Sequence, residues 1–483
     1  MNRLIKNEFK KLFSKKVMYI LSIITIAATI LANVLYSMET SSEEEKEYLK
    51  EELSYLEEEL KSPEYKLAEN KDMYIDLQTQ YEQLKLKLNY DVDSWQYYFI
   101  EQDISVYETI RVIKENEYNK NEEGLKKAQN EYNNLKNKLD SGDWKSFVDE
   151  QLKNTTKEIE ANEKILEKVT DKKTLEEMQI ELENLKGNKQ ALEWRLEKDI
   201  AYGNNFLSNK TDEYVNSLQV VNSLKNTENK TKEEKQEYQE ALKQMNVSKY
   251  YIENNINIEN EYDARYVLGN LMTEYGIFII IFSIIIAGKI VSNEAQKGTI
   301  KLLLTRPYSR NKILLSKYIV SILSIFIFII GFAISQYIVG GIMQGFSIFK
   351  TPMVEYNLNT NSIEVMNVFK YLLLQVIGSL PIMILLSTLA FELSTITTNS
   401  AVSVAIPILG YMMSEVINVF IEKIKILKYF VTANWDLSVY LFGGKGLAEE
   451  LNWQISLGIC LIYLVIMIAT TFIVFKKRDI KNV

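Results

Sequence analysis

Four polar side chains inside otherwise apolar runs are the residues of this sequence best placed to do chemistry. Glu415 lies about a turn and a half from the end of its run, where a buried charge costs about 2.5–3.5 kcal/mol. Gln336, Gln375 and Asn418 lie in similar surroundings. We expect these residues to line a substrate pathway or to contact a second copy of the chain. A protonated or hydrogen-bonded Glu415 at a subunit interface remains an equal alternative.

Most residues needed for covalent catalysis are missing. The chain has no histidine and a single cysteine, Cys460, which excludes Ser/His/Asp and Cys/His catalysis, a zinc site built on His and Cys, and a disulfide within one chain. The nucleotide-binding pattern G-x-x-x-x-G-K-[ST] is absent, and the nearest cluster, "FGGKGLAEE" from Phe442, lacks its spacing. We therefore expect no enzymatic activity, no bound metal and no cofactor on this chain.

A basic segment, "SNEAQKGTIKLLLTRPYSRNKILLSK" from Ser292, separates two long apolar runs. Its only acid is Glu294, which suits the first turn of a helix that Ser292 or Asn293 caps and that runs to about Leu304. The Arg306-Pro307 pair predicts a turn, and Ser309 can cap the helix that follows. An ordinary basic loop would explain the charge alone. The helix-turn-helix pattern favours a docking element.

Six apolar stretches are long enough to cross a membrane as helices, which takes about 20 residues each. They are Val17–Leu35, Tyr275–Val291, Ile313–Met343, Val365–Ala390, Ala401–Ile421 and Ile455–Phe475. The third exceeds one crossing, so we expect tilt or an extension beyond the bilayer. The first exceeds the apolar run of a signal peptide and lacks a clear cleavage site, so we interpret it as an uncleaved anchor.

Basic residues near the ends of these stretches predict the orientation. Lysine and arginine are concentrated in residues 1–16, 292–317 and 476–481. We therefore expect a multi-pass protein of a bacterial cell membrane with both termini in the cytoplasm. Residues 39–270 and the loops 346–364 and 422–454 would then be extracellular.

The first 16 residues have the pattern of an amphipathic helix lying at the membrane surface. Five apolar residues fall on one helical face: Leu4, Ile5, Phe9, Leu12 and Phe13. A merely basic leader is the alternative. This gives a boundary at residue 16, with the first transmembrane segment at 17–38.

Residues 39–270 differ from the rest in charge and pattern. Positions 41–265 hold 51 acids and 33 bases, against 13 and 23 elsewhere. Heptad-like leucine spacing predicts long helices packed along narrow seams, with breaks near Ser62-Pro63, Ser141-Gly142 and Tyr202-Gly203. The block could be a spacer, a docking surface for an extracellular peptide or protein, or a dimerisation element. The predicted fold class is an all-α membrane protein with six transmembrane helices and a long, coiled-coil-like extracellular domain.

The basic segment resembles the cytoplasmic loop of type-2 ABC-transporter permeases. The resemblance rests on the pattern E-x-x-KGT-x-x-LLL-x-RP-x-SR-x-x-ILLSK, from Glu294 to Lys317, together with the amphipathic leader and the six spans. It covers residues 1–38 and about 270–483. Some members carry a large insert between their first two spans, as this chain does.

The resemblance implies that a coupling helix near 293–305 docks into a separate ATPase. The residues that match the coupling pattern are Glu294, Lys297, Gly298, Thr299, Arg306, Pro307 and Arg310. It also implies a cytoplasmic ABC ATPase dimer that holds ATP and Mg²⁺, a second permease copy or homologous permease, and an outer re-entrant loop near 422–454. Residues 271–483 would form transmembrane helices two to six.

The function that this resemblance implies is export driven by ATP. Peptide or amphipathic, lipid-like cargo is the first expectation, including resistance to antimicrobial peptides, and sodium or another small cation is an alternative. A mechanical signal transmitter acting through the extracellular helices is a second alternative, and a membrane-anchored scaffold a third. We expect membrane lipid, and no nucleic acid, among the partners.

Overall fold

A computed structural model of the chain describes residues 1–37, 42–63, 70–92, 94–227, 230–299, 308–421, 424–448 and 450–477. Its contacts divide the chain into two compact units, which are described separately. The membrane unit comprises Met1–Met38 and Tyr262–Val483, and the helical insert comprises Glu39–Glu261. This division falls nine residues before the predicted boundary at 270, and the short helix from Ala264 to Gly269 packs against helices of the membrane unit.

Six helices among the described residues are long and apolar enough to cross a membrane. We call them spans one to six: Lys16–Ser37, Leu271–Gln296, Arg310–Gln344, Val368–Thr397, Ser400–Val419 and Trp453–Lys477. All six predicted stretches overlap these helices, although the fourth begins with Val365 and Met366, which lie in a β-strand, and the fifth ends two residues beyond its helix. The fold class, an all-α membrane protein, is confirmed. The helices are also numbered along the chain. Helix α1 is Asn2–Phe13, α2 is span one and α12 is Ala264–Gly269. Span two consists of α13 (Leu271–Ile290) and α14 (Ser292–Gln296), and spans three to six are α15 to α18.

Span two lies at the centre of the membrane unit and is its most enclosed helix, whereas spans one, five and six are the most exposed. It packs against spans three, four and five. Aromatic rings fill the contact with span three: Phe332 lies 5.0 Å from Tyr275 and 6.1 Å from Phe282, measured between ring centroids. Burial of these large side chains supplies much of the packing energy that fixes span two among its neighbours.

Two connections at the far end of the spans from α1 form an irregular cap. The loop after span three contains an unpredicted β-hairpin, with Met353–Asn357 (β1) antiparallel to Ser362–Met366 (β2). The loop after span five forms short 3₁₀ turns at Lys425–Tyr429, Val431–Ala433 and Ser438–Gly443. The Leu358 amide donates to the Phe442 carbonyl over 2.9 Å, so the two loops are joined.

The helical insert consists of shorter helices than the heptad pattern predicted. They are α3 Ser42–Lys61, α4 Lys71–Lys87, α5 Trp95–Gln102, α6 Ile104–Tyr118, α7 Glu122–Ser141, α8 Trp144–Leu166, α9 Lys172–Lys198, α10 Phe206–Lys225 and α11 Lys232–Glu253. The three predicted breaks are found. The additional ones follow from N-cap side chains, such as Asp103 and Asp171, that accept hydrogen bonds from backbone amides and start a new helix.

The insert has its own apolar core. The Phe99 ring is fully buried, with centroids 4.4 Å from Phe147 and 4.9 Å from Tyr202. Nearby, the buried guanidinium of Arg195 lies 4.0 Å over the Tyr202 ring and 2.7 Å from an Asp212 carboxylate oxygen. Burial raises the pKa of Asp212, although the charge of Arg195 opposes that shift. The insert is thus a folded unit rather than a set of solvated helices.

Candidate functional site

Helix α1 packs a face of mixed polarity against span three of the membrane unit. Four residues of its predicted apolar face are buried or half-buried: Leu4, Ile5, Phe9 and Leu12. Phe13 is exposed and stacks on Phe9, with ring centroids 6.2 Å apart. Glu8, one turn from Leu4 and one from Leu12, is buried. An acid that sequence reasoning did not single out therefore occupies the centre of the buried face.

Two glutamates and two lysines form what we call the charged ring. The Lys317 ammonium nitrogen lies 2.8 Å from Glu8 Oε2 and 2.7 Å from Glu294 Oε2. On the other side, Lys11 Nζ lies 3.1 Å from Glu8 Oε1 and 3.0 Å from Glu294 Oε1. The ring joins α1, α14 and the first turns of span three through ion pairs that balance in charge.

The ring is buried enough for its charges to depend on one another. Lys317 is 2% exposed and Glu8 7% exposed. Burial would raise the pKa of Glu8, but the positive charges of Lys317 and Lys11 outweigh it and hold that pKa below its usual value. Burial would lower the pKa of Lys11, and the carboxylates of Glu294 and Glu8 raise it. Both groups therefore remain ionised at neutral pH.

Acidification is expected to loosen α1. Because the folded state lowers the pKa of Glu8, its stabilising contribution is complete above the unfolded pKa of about 4.3. The contribution is lost as the pH falls through the lower, folded value. A nitroxide on Asn7→Cys in a Cys460→Ser background should become more mobile below about pH 4 by electron paramagnetic resonance. A label on Lys445→Cys serves as the control, and an Asn7 label that becomes mobile only at the pH at which the control label also does would contradict this expectation.

Helix α14 is held at its base by short polar contacts. It continues directly from α13, so Ser292 does not act as the predicted cap. The Ser292 amide instead donates to Ser394 Oγ of span four over 2.9 Å. Ser400, at the start of span five, donates to Asn293 Oδ1 and Gln296 Oε1 over 3.1 and 3.0 Å. α14 is therefore attached to spans four and five as well as to the charged ring.

Within the described residues, the tip of the loop departs from the predicted continuous helix to Leu304, of which residues 300–304 lie outside the described part of the chain. α14 ends at Gln296, and Gly298 adopts a φ of +68°, a left-handed conformation that ends helices. Lys297, Gly298 and Thr299 are exposed. Arg306 and Pro307 lie outside the described residues, and Arg310 is exposed at the start of span three. Of the predicted coupling residues, only Glu294 belongs to the ring.

The four polar residues predicted inside the spans have different surroundings. Gln336 is fully buried; its Oε1 accepts from Asn33 and Tyr275, both over 2.8 Å. Asn418 accepts from Thr432 Oγ1 over 3.0 Å, which ties span five to the cap. Gln375 is half-buried in span four, and Glu415 is exposed on span five. The described part of the chain shows no hydrogen bond among these four residues, and their predicted role in a pathway or dimer contact stays a prediction.

Comparison with known proteins places the membrane unit in a family. A family model described as "Protein of unknown function (DUF2705)" matches residues 238–481. The chain belongs to this family. The matched range contains α14, the cap and spans two to six, while helices α3 to α10 of the insert lie outside it.

Two relatives of this DUF2705 chain come from Bacillus subtilis strain 168. "Uncharacterized protein YhcI" is 32% identical over 237 residues, which cover 48% of this chain and 74% of YhcI. "Uncharacterized membrane protein YdbK" is 27% identical over 207 residues, covering 41% of this chain and 76% of YdbK. No solved structure matches the chain. The membrane assignment of YdbK agrees with the six spans found here.

Proposed function

We propose that this DUF2705 chain is the permease subunit of an ATP-driven exporter that moves a peptide or an amphipathic, lipid-like cargo outward. The chain itself would not be an enzyme, since a separate ABC ATPase dimer would hold ATP and Mg²⁺ and hydrolyse the nucleotide. The six spans and the coupling-loop pattern from Glu294 to Lys317 support the proposal. The charged ring is the observation that carries it.

The ring makes the loop suited to receive a mechanical input. The tip residues Lys297 to Thr299 are exposed, whereas the base of α14 is fixed to α1 and to spans three, four and five. Packed side chains and buried ion pairs transmit displacement between rigid elements. A force applied at the tip would therefore reach several spans at once. A loop serving only as a connection would not need such an attachment.

The proposed assembly places both termini, α1 and α14 in the cytoplasm of a bacterial cell, with the helical insert outside. Two permeases would flank one pathway. Spans five and six offer exposed apolar side chains for lipid or for the second permease, among them Met412, Val416, Leu461 and Val465. Glu415 is exposed on the same span as Met412. A charged residue such as Glu415 is expected at a pathway or subunit contact rather than against lipid.

Cysteine cross-linking tests the proposal. The neighbouring genes are first searched for an ABC ATPase without membrane spans, and the chain, in a Cys460→Ser background, is co-expressed with each such ATPase. We expect Lys297→Cys at the exposed tip to form a cross-link with the ATPase, and the purified complex to hydrolyse ATP. Lys445→Cys, exposed in the cap at the far end of the spans, is the matched control. Equal cross-linking at both positions, or a purified complex of chain and ATPase that does not hydrolyse ATP, would contradict the assignment.

The helical insert supports one rival, a mechanical signal transmitter. It is a compact unit with its own core, and most of it lies outside the family match, so it has a role that the membrane unit does not need. Reconstituted vesicles distinguish the two. Cargo-stimulated ATPase activity with flux indicates transport, whereas ATP-dependent movement of labels on the insert without any flux indicates signalling.

A further inference from the structure

A cleft opens beside the charged ring, between α1, the start of span one and the end of span two. Its volume is about 310 Å³. Polar groups line one part of it, including the ring residues Glu8, Lys11 and Glu294. The other part is lined by aliphatic side chains, including Val17 and Ile285.

The charges around this cleft do not balance. Glu8 and Glu294 are neutralised within the ring by Lys11 and Lys317. Three further lysines line the cleft, Lys15, Lys289 and Lys297, and none of them forms an ion pair within the described residues. The cleft therefore carries an excess of positive charge.

Two of these lysines are placed where positive charge is costly. Lys15 and Lys289 are both half-buried. Burial, and the nearby ammonium group of Lys317, lower the pKa of Lys15. A cation that is partly withdrawn from water without a partner is unfavourable, so an anion entering the cleft would be stabilised by both lysines.

The position of the cleft decides which anion fits. Lys15 immediately precedes span one, and Lys289 lies near the end of span two, so both lie at the depth of lipid headgroups on one membrane surface. Val17 and Ile285 extend from that level into the spans. A basic site with an adjoining apolar wall matches a phosphate attached to an acyl chain, whereas a free phosphate would leave the apolar part unused.

We propose that this cleft binds an anionic phospholipid, whose phosphate contacts Lys15 and Lys289 and whose acyl chain lies along Val17 and Ile285. The site does not depend on the proposed transport function. It would attach α1 to the end of span two through a lipid, next to the ion pairs that attach α1 to span three. An anionic membrane would thereby stabilise the docked position of α1.

Lipid binding to the purified full-length chain tests this proposal. Phosphatidylglycerol is titrated against the protein in detergent, and retained lipid is counted by native mass spectrometry. Lys15→Gln/Lys289→Gln should bind roughly thirtyfold more weakly, since a lysine near an anionic headgroup contributes about a factor of five. The matched control, Lys6→Gln/Lys10→Gln, removes two exposed lysines of α1 outside the cleft and should retain most of the affinity.

A thermal-shift measurement provides the second readout. Phosphatidylglycerol should raise the melting temperature of the wild type by several degrees, and phosphatidylcholine or inorganic phosphate should raise it by less than half as much. Without lipid, Lys15→Gln/Lys289→Gln should melt no lower than the wild type, because it removes unpaired charges. Equal loss of binding in both double variants, or equal stabilisation by inorganic phosphate, would overturn the proposal.

Discussion

Lys317→Met is expected to lower the free energy of unfolding of the membrane unit by about 3–5 kcal/mol, the usual result of removing one partner from a buried ion pair. The methionine has a similar length and fills the site. However, Glu8 and Glu294 would then lie close to each other with only Lys11, which is 44% exposed, to offset their charges. Denaturant unfolding in detergent, followed by circular dichroism, measures the change.

Two further variants separate charge from packing. Lys312→Met removes an exposed lysine five residues earlier on the same helix and should change the unfolding free energy by no more than about 0.5 kcal/mol. Glu8→Gln/Glu294→Gln/Lys317→Met removes the unpaired carboxylates and should recover most of the loss. If Lys317→Met proved as stable as Lys312→Met, the ring would not be an energetic element of the fold.

The triple variant also tests the link between the ring and function. Its segments keep their apolar contacts, while the ionic connection between α1, α14 and span three is gone. If the ring transmits motion from the ATPase, a folded triple variant should bind the ATPase yet lose most coupled transport. Unchanged transport would restrict the ring to a role in stability.

Gly378→Ala should detach the cap from span four. A Cβ atom at this position would lie 2.6 Å from the Cα of Ser438, a backbone atom that cannot rotate away. The Leu437 amide also donates to the Gly378 carbonyl over 2.9 Å, so the displacement would break that hydrogen bond. We expect a cost of about 1–3 kcal/mol, and faster limited proteolysis between residues 424 and 448.

Two other glycines within spans make matched controls. Gly410 of span five and Gly458 of span six have open space where a Cβ would be. Alanine at either position should stabilise its helix by up to about 1 kcal/mol, which is the difference between glycine and alanine measured for helices in water. Proteolysis of the cap should not change. A cap that stays protected in Gly378→Ala would show that the loop adapts without losing its contact.

The sequence predicted the spans well because crossing a membrane requires a long apolar run. Such a run is recognised from consecutive residues alone, without knowledge of contacts with other parts of the chain. It did not predict the β-hairpin at Met353–Met366. That hairpin is short, and its turn packs against Phe442 and Gly443 of a loop distant in the sequence. The residues of the hairpin alone do not reveal this contact. The length of the insert helices was overestimated because leucine spacing persists across capped breaks.

The charged ring was missed for a different reason. Lys317 appeared as one of several basic residues of a loop, although it follows Ile313 and Leu314 on their buried helical face. Glu8 was not considered at all, although Leu4 and Leu12 flank it at both four-residue intervals. A lone charge on an apolar helical face is a usable signal, but its partner is found only in three dimensions. Glu294 was predicted for its place in a pattern, not for this contact.

The uninterrupted third span has a consequence for how far each of its ends can travel. Asn33 of span one donates a hydrogen bond to Gln336 of span three. At 1.5 Å per residue, Gln336 lies about 28 Å along the helix axis from Lys317 but only about 12 Å from Gln344. If this hydrogen bond acts as a pivot, a tilt of span three moves its Lys317 end more than twice as far as its Gln344 end, and in the opposite direction. A large displacement of the Lys317 end on one side of the membrane would then produce a smaller displacement with greater force at the Gln344 end on the other side.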